Sequence, residues 1–272
     1  MVCYLQKKFK RKWIDFVKIQ KQLRVVMVEA QDNEVDRVNE NKNLLYSLLI
    51  MPLHKNERNL YFIRHGESES NVLPEFAAGH NYDAPLTKLG EKQAKALGER
   101  LKEEKIQFDF VFTSQLVRAT KTAKIMLKHS NNNIVSTKKS EKLNELEIPS
   151  WRWKKRRKVL TAEVEASWGK NGKFYSPGDG ESEYEVQKRF SSLIDEEIIF
   201  NDKISKINSN LNIAIVAHGN AFRCYFQHLL EFDQSFIKKM QIDNTSISEF
   251  RFDSNGWNLI RLNDSSHIKK LS

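Results

Sequence analysis

From residue 59 onward the chain alternates short apolar runs with longer charged stretches in which apolar residues recur at helical spacing. Leu60-Tyr61-Phe62-Ile63, Phe108 to Thr113 and Asn212 to Ala217 are each bounded by polar or turn-forming residues, the pattern of buried parallel strands. Ala94, Leu97 and Leu101 mark one helix face, with Thr87 as its expected N-cap. Val186, Phe190, Leu193, Ile194 and Ile198 mark a second, entered through the turn-rich segment 176–182. Phe222, Phe226, Leu229 and Leu230 mark a third. Ile134-Val135 reads as a further short strand. Asp243 to Ser248 and Trp257 to Leu262 read as a closing hairpin. Strands alternating with helices predict an α/β fold.

The first 58 residues do not share this pattern. Residues 1–28 carry eight Lys and Arg against Asp15 alone, interleaved with Trp13, Phe16, Val17 and Ile19. Such a segment can lie weakly on an anionic membrane surface as a basic amphipathic helix, or serve as a transit peptide. The absence of serine before Ser47 counts against a transit peptide, and a poorly ordered extension is the preferred reading. Residues 29–43 are polar and Asn-rich, as in a linker, and Leu44 to Leu53 is a short apolar patch. Met51 precedes the first strand, so residues 1–50 are expected to be dispensable for the fold. The predicted organisation is therefore a basic extension and linker over 1–58, one domain over 59–264, and a tail over 265–272.

Composition narrows the partner without naming it. The chain has 272 residues, a formal net charge of +10 and 40% hydrophobic residues, enough for one sizeable core. The charge suggests an anionic partner. Much of it lies at the chain ends and in the run Lys154 to Lys158, which reads as a solvated face or a cover over a charged substrate. Two cysteines, Cys3 and Cys224, are too few for a disulfide framework and point to a reducing, cytoplasmic setting. No apolar run approaches the ~20 residues that span a bilayer. No Cys or His cluster has metal-ligand spacing, so neither metal nor cofactor is expected.

The candidate chemistry sits where apolar runs end. The first strand runs into Arg64-His65-Gly66-Glu67 with Asn71 six residues past the histidine. The second runs into Ser114-Gln115-Leu116-Val117-Arg118-Ala119, which puts Arg118 in the first turn of a helix. The strand ending at Ala217 runs into His218-Gly219-Asn220, a second strand-end His-Gly. Carboxyl ends of parallel strands are where an open α/β sheet places its ligand crevice. Arginine forks and helix N-termini both suit phosphate.

Taken together, Arg64-His65-Gly66-Glu67-x-x-x-Asn71, Leu86-Thr87-x-Leu89-Gly90, Ser114-x-Leu116-x-Arg118-Ala119-x-x-Thr122-Ala123, Leu143-x-Glu145 and His218-Gly219 resemble the histidine phosphatase superfamily, the phosphoglycerate mutase-like proteins. The resemblance covers residues 59 to 264. It implies a three-layer α/β/α sandwich with a mostly parallel central sheet, and a phosphohistidine formed on His65. It further implies Arg64, Asn71, Arg118 and Gly219 as phosphate-binding residues, with His218 as a second catalytic histidine and Glu145 as the proton donor. Glu147, one alternate position on, competes for that last role. Pro149 and Trp151-Arg152-Trp153 depart from the family's glycine and Trp-Glu-Gly, which leaves the substrate lid undefined.

The implied activity is a metal-independent phosphatase acting on a small phosphomonoester. A phosphoglycerate mutase is the alternative, disfavoured by the short stretch from Glu145 to His218 and the missing aromatic-glycine pattern. An inactive anion-binding module is the remote one. Nucleic acid is not an expected partner, and the sequence names no oligomeric state.

Overall fold

The computed structural model describes residues 56–272 except 74, 78–81, 131, 133–135, 270 and 272. The basic segment 1–28, the linker, Met51 and the Ile134-Val135 strand fall outside the described residues.

Six strands form one sheet: β1 (Arg58–Arg64), β2 (Phe110–Ser114), β3 (Thr137–Ser140), β4 (Leu211–Ala217), β5 (Ile247–Asp253) and β6 (Gly256–Asp264). Their spatial order is β3-β2-β4-β1-β5-β6. β3, β2, β4 and β1 run parallel, and β5 is antiparallel to β1. The closing hairpin begins later than the sequence suggests, because residues 243–246 turn beneath the end of β1 and pairing in β5 starts at Ile247. β3 was invisible to an apolar pattern. Its Thr-Lys-Lys-Ser is mostly exposed at the sheet edge, where lysines discourage pairing with another chain.

Connections fix the layers. α1 (Lys88–Glu103) and α2 (Val117–His129) carry the chain in one direction, from β1 past β4 to β2 and on to β3. The return from β3 to β4 passes through α3 (Ala162–Asn171) and α4 (Glu183–Ile194). Right-handed crossovers of opposite direction place their helices on opposite faces. The side chains agree. Alternate residues Tyr61 and Ile63 of β1 pack with Leu97, Leu101, Ala123 and Met126 of α1 and α2. The intervening Phe62 meets the rings of Phe190 in α4 and of Phe222 and Phe226 in α5 (Gly219–Leu230). The result is an α/β/α sandwich around a mostly parallel sheet.

Caps explain where the helices begin. Thr87 accepts the Gly90 N–H as N-cap of α1. Ser182 and Glu185 form a reciprocal capping box on α4. The loop after His65 lies against the start of α1 so closely that a Cβ on Gly66 would stand 2.5 Å from the Gly90 carbonyl oxygen. Gly66 thus admits the close approach of another backbone.

Candidate active site

Every parallel strand delivers a polar residue to the same end of the sheet. β1 and β4 are paired so that Arg64 lies opposite Ala217, which sets His65 beside His218. The His65 N–H donates to the Ala217 carbonyl at 3.0 Å, and the two imidazole centroids are 5.0 Å apart. Ser114 ends β2 next to β4, and the chain beyond β3 brings Asn144 and Glu145 to the same edge. This is the crevice at strand carboxyl ends that an open α/β sheet provides.

His65 is held in one tautomer. Its Nδ1 lies 2.6 Å from the Gly66 carbonyl oxygen, which only accepts, so Nδ1 carries the proton. Nε2 then presents a lone pair, and the Arg118 Nε–H donates to it at 3.1 Å. Burial, with Arg118 and Arg64 adding repulsion, holds the His65 pKa well below the usual imidazole value against the opposing Gly66 bond. The ring is therefore neutral at physiological pH, with its lone pair on Nε2. Thr122 braces the loop by accepting the Gly66 N–H and donating to the Arg118 carbonyl.

Cations surround this lone pair. Burial lowers the Arg64 pKa to about 10, opposed by Glu145 and assisted by Arg223 and Arg118, so the guanidinium stays charged at neutral pH. Burial also lowers that of Arg118. Arg64 lies across Gly219, where a Cβ would stand 3.4 Å from its Nε. That Nε, and the Nδ1 of fully buried His218, are buried without hydrogen-bond partners. Both atoms lie at the carboxyl ends of the parallel strands, the same end as the His65 lone pair, and each keeps hydrogen-bonding capacity to offer.

Glu145 is buried at the start of α5. Its carboxylate accepts the N–H groups of Asn220 (3.2 Å) and Ala221 (3.0 Å), and that of its own neighbour Leu146. An anion at a helix N-terminus is favoured by the exposed amides and the helix dipole. Glu147 instead faces outward to pair with Arg152.

A model of the histidine phosphatase superfamily (branch 1) matches residues 60–265. The chain belongs to this superfamily. A phosphoglycerate mutase of Schizosaccharomyces pombe is 35% identical over 177 residues, 62% of this chain and 78% of the mutase. A broad-specificity phosphatase of Saccharomyces cerevisiae is 29% identical over 213 residues, 77% of this chain and 86% of that protein. The fold is similar to the crystal structure of phosphoglycerate mutase from Bacillus anthracis, with a TM-score of 0.65 and 23% identity over 80% of this chain and 98% of the other. The relatives of this histidine phosphatase superfamily member thus include both a hydrolase and a mutase.

Of the residues singled out in the sequence, His65, His218, Arg64, Arg118, Gly219 and Glu145 lie at this end of the sheet. Asn71 is exposed, and its Oδ1 accepts from the N–H and hydroxyl of Ser68 and from Asn244. Only its amide NH2 end is suited to an anion. Three contributors carried no sequence signal of their own. Asn144 accepts from Ser114 and from the Gln115 N–H. Tyr82 accepts from Arg118 through its carbonyl and donates its hydroxyl to the Glu145 carbonyl. Arg189 of α4 binds the carbonyls of Lys142, Asn144 and Glu145.

Proposed function

We propose that the protein is a phosphatase that hydrolyses a small phosphomonoester through a phosphohistidine on His65. The observation that carries this reading is the fixed tautomer: Nδ1 bound to the Gly66 carbonyl and a lone pair on Nε2 in contact with a guanidinium.

Phosphoryl transfer demands positioning and positive charge around the equatorial oxygens. Arg64, Arg118, the Gly219 N–H, the Asn71 amide and His218 supply donors. The Nε2 lone pair attacks phosphorus in line, the N–P bond forms and the P–O bond to the leaving group breaks. Glu145, in its acid form, gives the departing oxygen its proton. Water then attacks the phosphohistidine. Glu145 takes the proton from that water, the N–P bond breaks, and inorganic phosphate leaves with His65 restored. The Asn220 and Ala221 amides that hold Glu145 in the free protein belong to the same helix end as Gly219, so an incoming phosphoryl group competes with this carboxylate. Its release from the amides frees it to face the leaving oxygen.

The relatedness to phosphoglycerate mutases supports a second reading, in which the phosphohistidine passes its group to a second hydroxyl instead of water. Both readings share the first half-reaction. The test is hydrolysis of an aryl phosphate in the presence of chelator by the wild type and by His65→Ala, alongside 3-phosphoglycerate as substrate. Phosphate release that survives chelator and falls at least ~10³-fold in the variant supports the hydrolase. Conversion of 3-phosphoglycerate to its 2-phospho isomer without phosphate release supports the mutase. Turnover retained by His65→Ala overturns both.

A further inference from the structure

The second histidine has a hydrogen-bond circuit behind it whose proton positions can be counted. The Asn144 Oδ1 accepts the Gln115 N–H at 3.0 Å, and a backbone N–H can only donate, so the amide orientation is fixed with oxygen toward Ser114. The Ser114 hydroxyl donates its single proton to that oxygen at 2.8 Å. It already accepts the Leu116 N–H at 3.1 Å. The remaining partner is His218 Nε2, 2.7 Å from the hydroxyl oxygen. With no proton left on that hydroxyl to give, Nε2 must be the donor. A neutral His218 therefore has its lone pair on Nδ1, the buried atom without a partner. The usual alternative for Nδ1 of an N-cap residue is a capping bond to the next turn. Here the Asn220 and Ala221 amides belong to Glu145 instead.

We propose that Ser114 and Asn144 are positioning residues that hold His218 in its Nε2–H tautomer, so that Nδ1 takes up one proton and donates to the phosphoryl oxygen when phosphate binds. A lone pair facing a phosphate oxygen repels it, whereas an N–H on an imidazolium makes a charge-assisted bond. The proton comes from the monoanionic form of the phosphoryl group: its O–H bond breaks, the Nδ1–H bond forms, and the phosphoryl group is left as the dianion. His218 in the free protein is neutral, since burial first, then Arg118, His65 and Arg64, holds its pKa well below the ordinary value. The dianion supplies the missing counter-charge. The same Asn144 precedes Glu145 in the chain, so one residue ties the second histidine to the carboxylate that competes for the anion site.

The meeting of His218 with a phosphoryl group rests on the function proposed above, whereas the tautomer in the free protein does not. The two are therefore tested separately, by long-range ¹H–¹⁵N correlation spectra of the full chain labelled at histidine nitrogens. His218→Gln serves to assign the signal. The expected spectrum of the free wild type shows His218 neutral with its proton on Nε2, and saturation with inorganic phosphate shows both nitrogens protonated. Ser114→Ala is expected to lose the single tautomer and raise KM for an aryl phosphate about 10- to 100-fold, the effect of weakening one bond to a charged group. Ser114→Thr, which keeps the hydroxyl, is expected to restore both. A free wild type with the proton on Nδ1 overturns the proposal, as does a Ser114→Ala protein that folds and keeps the wild-type tautomer. Should Ser114→Ala not fold, the wild-type spectrum and that of Asn144→Asp, which retains the acceptor oxygen, still decide. A correct tautomer with no phosphate-induced protonation and no turnover would count against the phosphatase reading while leaving the circuit intact.

Discussion

At the scale of single residues, the site stands out by how little its two imidazoles can be charged. Both are buried, and burial is the largest cause of their lowered pKa values. In the unfolded chain each regains an ordinary value near 6.5. As pH falls through that value the unfolded state binds protons that the native state refuses, so stability is fullest above about 6.5 and declines below it. The decline is up to ~1.4 kcal/mol per pH unit for each such histidine. Urea unfolding of ligand-free protein between pH 7.5 and 5.5 is expected to show this loss. His218→Gln should lose distinctly less, and an unchanged slope in that variant would contradict the assignment. His65, His218 and Arg64 were legible because each stands at the end of a strand-like run, and Arg118 because it opens the helix that follows one. Tyr82, Asn144 and Arg189 were not, since they act through carbonyls, amides and hydroxyls whose partners are distant in the chain. Among the two carboxylates left open by sequence, geometry separates Glu145, at the start of α5, from Glu147, paired outward with Arg152.

At the scale of elements, one helix shapes the loop that carries Glu145. Arg189 projects from α4, forks onto Glu181 and binds the carbonyls of Lys142, Asn144 and Glu145. A planar guanidinium can serve all these acceptors at once, and an ammonium cannot. Arg189→Lys is thus expected to lower kcat by about 10-fold or more, with a stability loss of ~1–3 kcal/mol from the lost charged hydrogen bonds. Steady-state kinetics with urea unfolding separates the two. Stability loss without a change in kcat would mean that Arg189 serves the fold alone. The sequence exposed α1, α4 and α5 because their buried faces recur with the helical period. β3 escaped because an edge strand of Thr, Lys and Ser has no apolar face to display. The turn at 243–246 was mistaken for strand because its polar residues serve the carbonyls of Arg64 and His65, a task no local pattern encodes.

At the scale of the whole molecule, the three-layer sandwich follows from one reversal in the direction of strand addition, after β3, and the strands and helices on either side of it were legible in their alternation. What the alternation could not give was the register between β1 and β4, which depends on residues some 150 positions apart. That register has a consequence in time as well as space. The 5.0 Å between the imidazoles is close to the ~4.8 Å that separates any two hydrogen-bonded strands, so the sheet itself acts as the gauge. Buried central strands open only when the entire domain opens. The His65 amide, bonded to the Ala217 carbonyl, should therefore be among the slowest to exchange with deuterium, at a rate set by global unfolding. On heating, turnover should persist up to the unfolding transition seen by tryptophan fluorescence and vanish with it. A protein that loses activity several degrees earlier would owe its inactivation to a looser element, such as the Glu145 loop. The pairing of the two histidines would then outlast the activity.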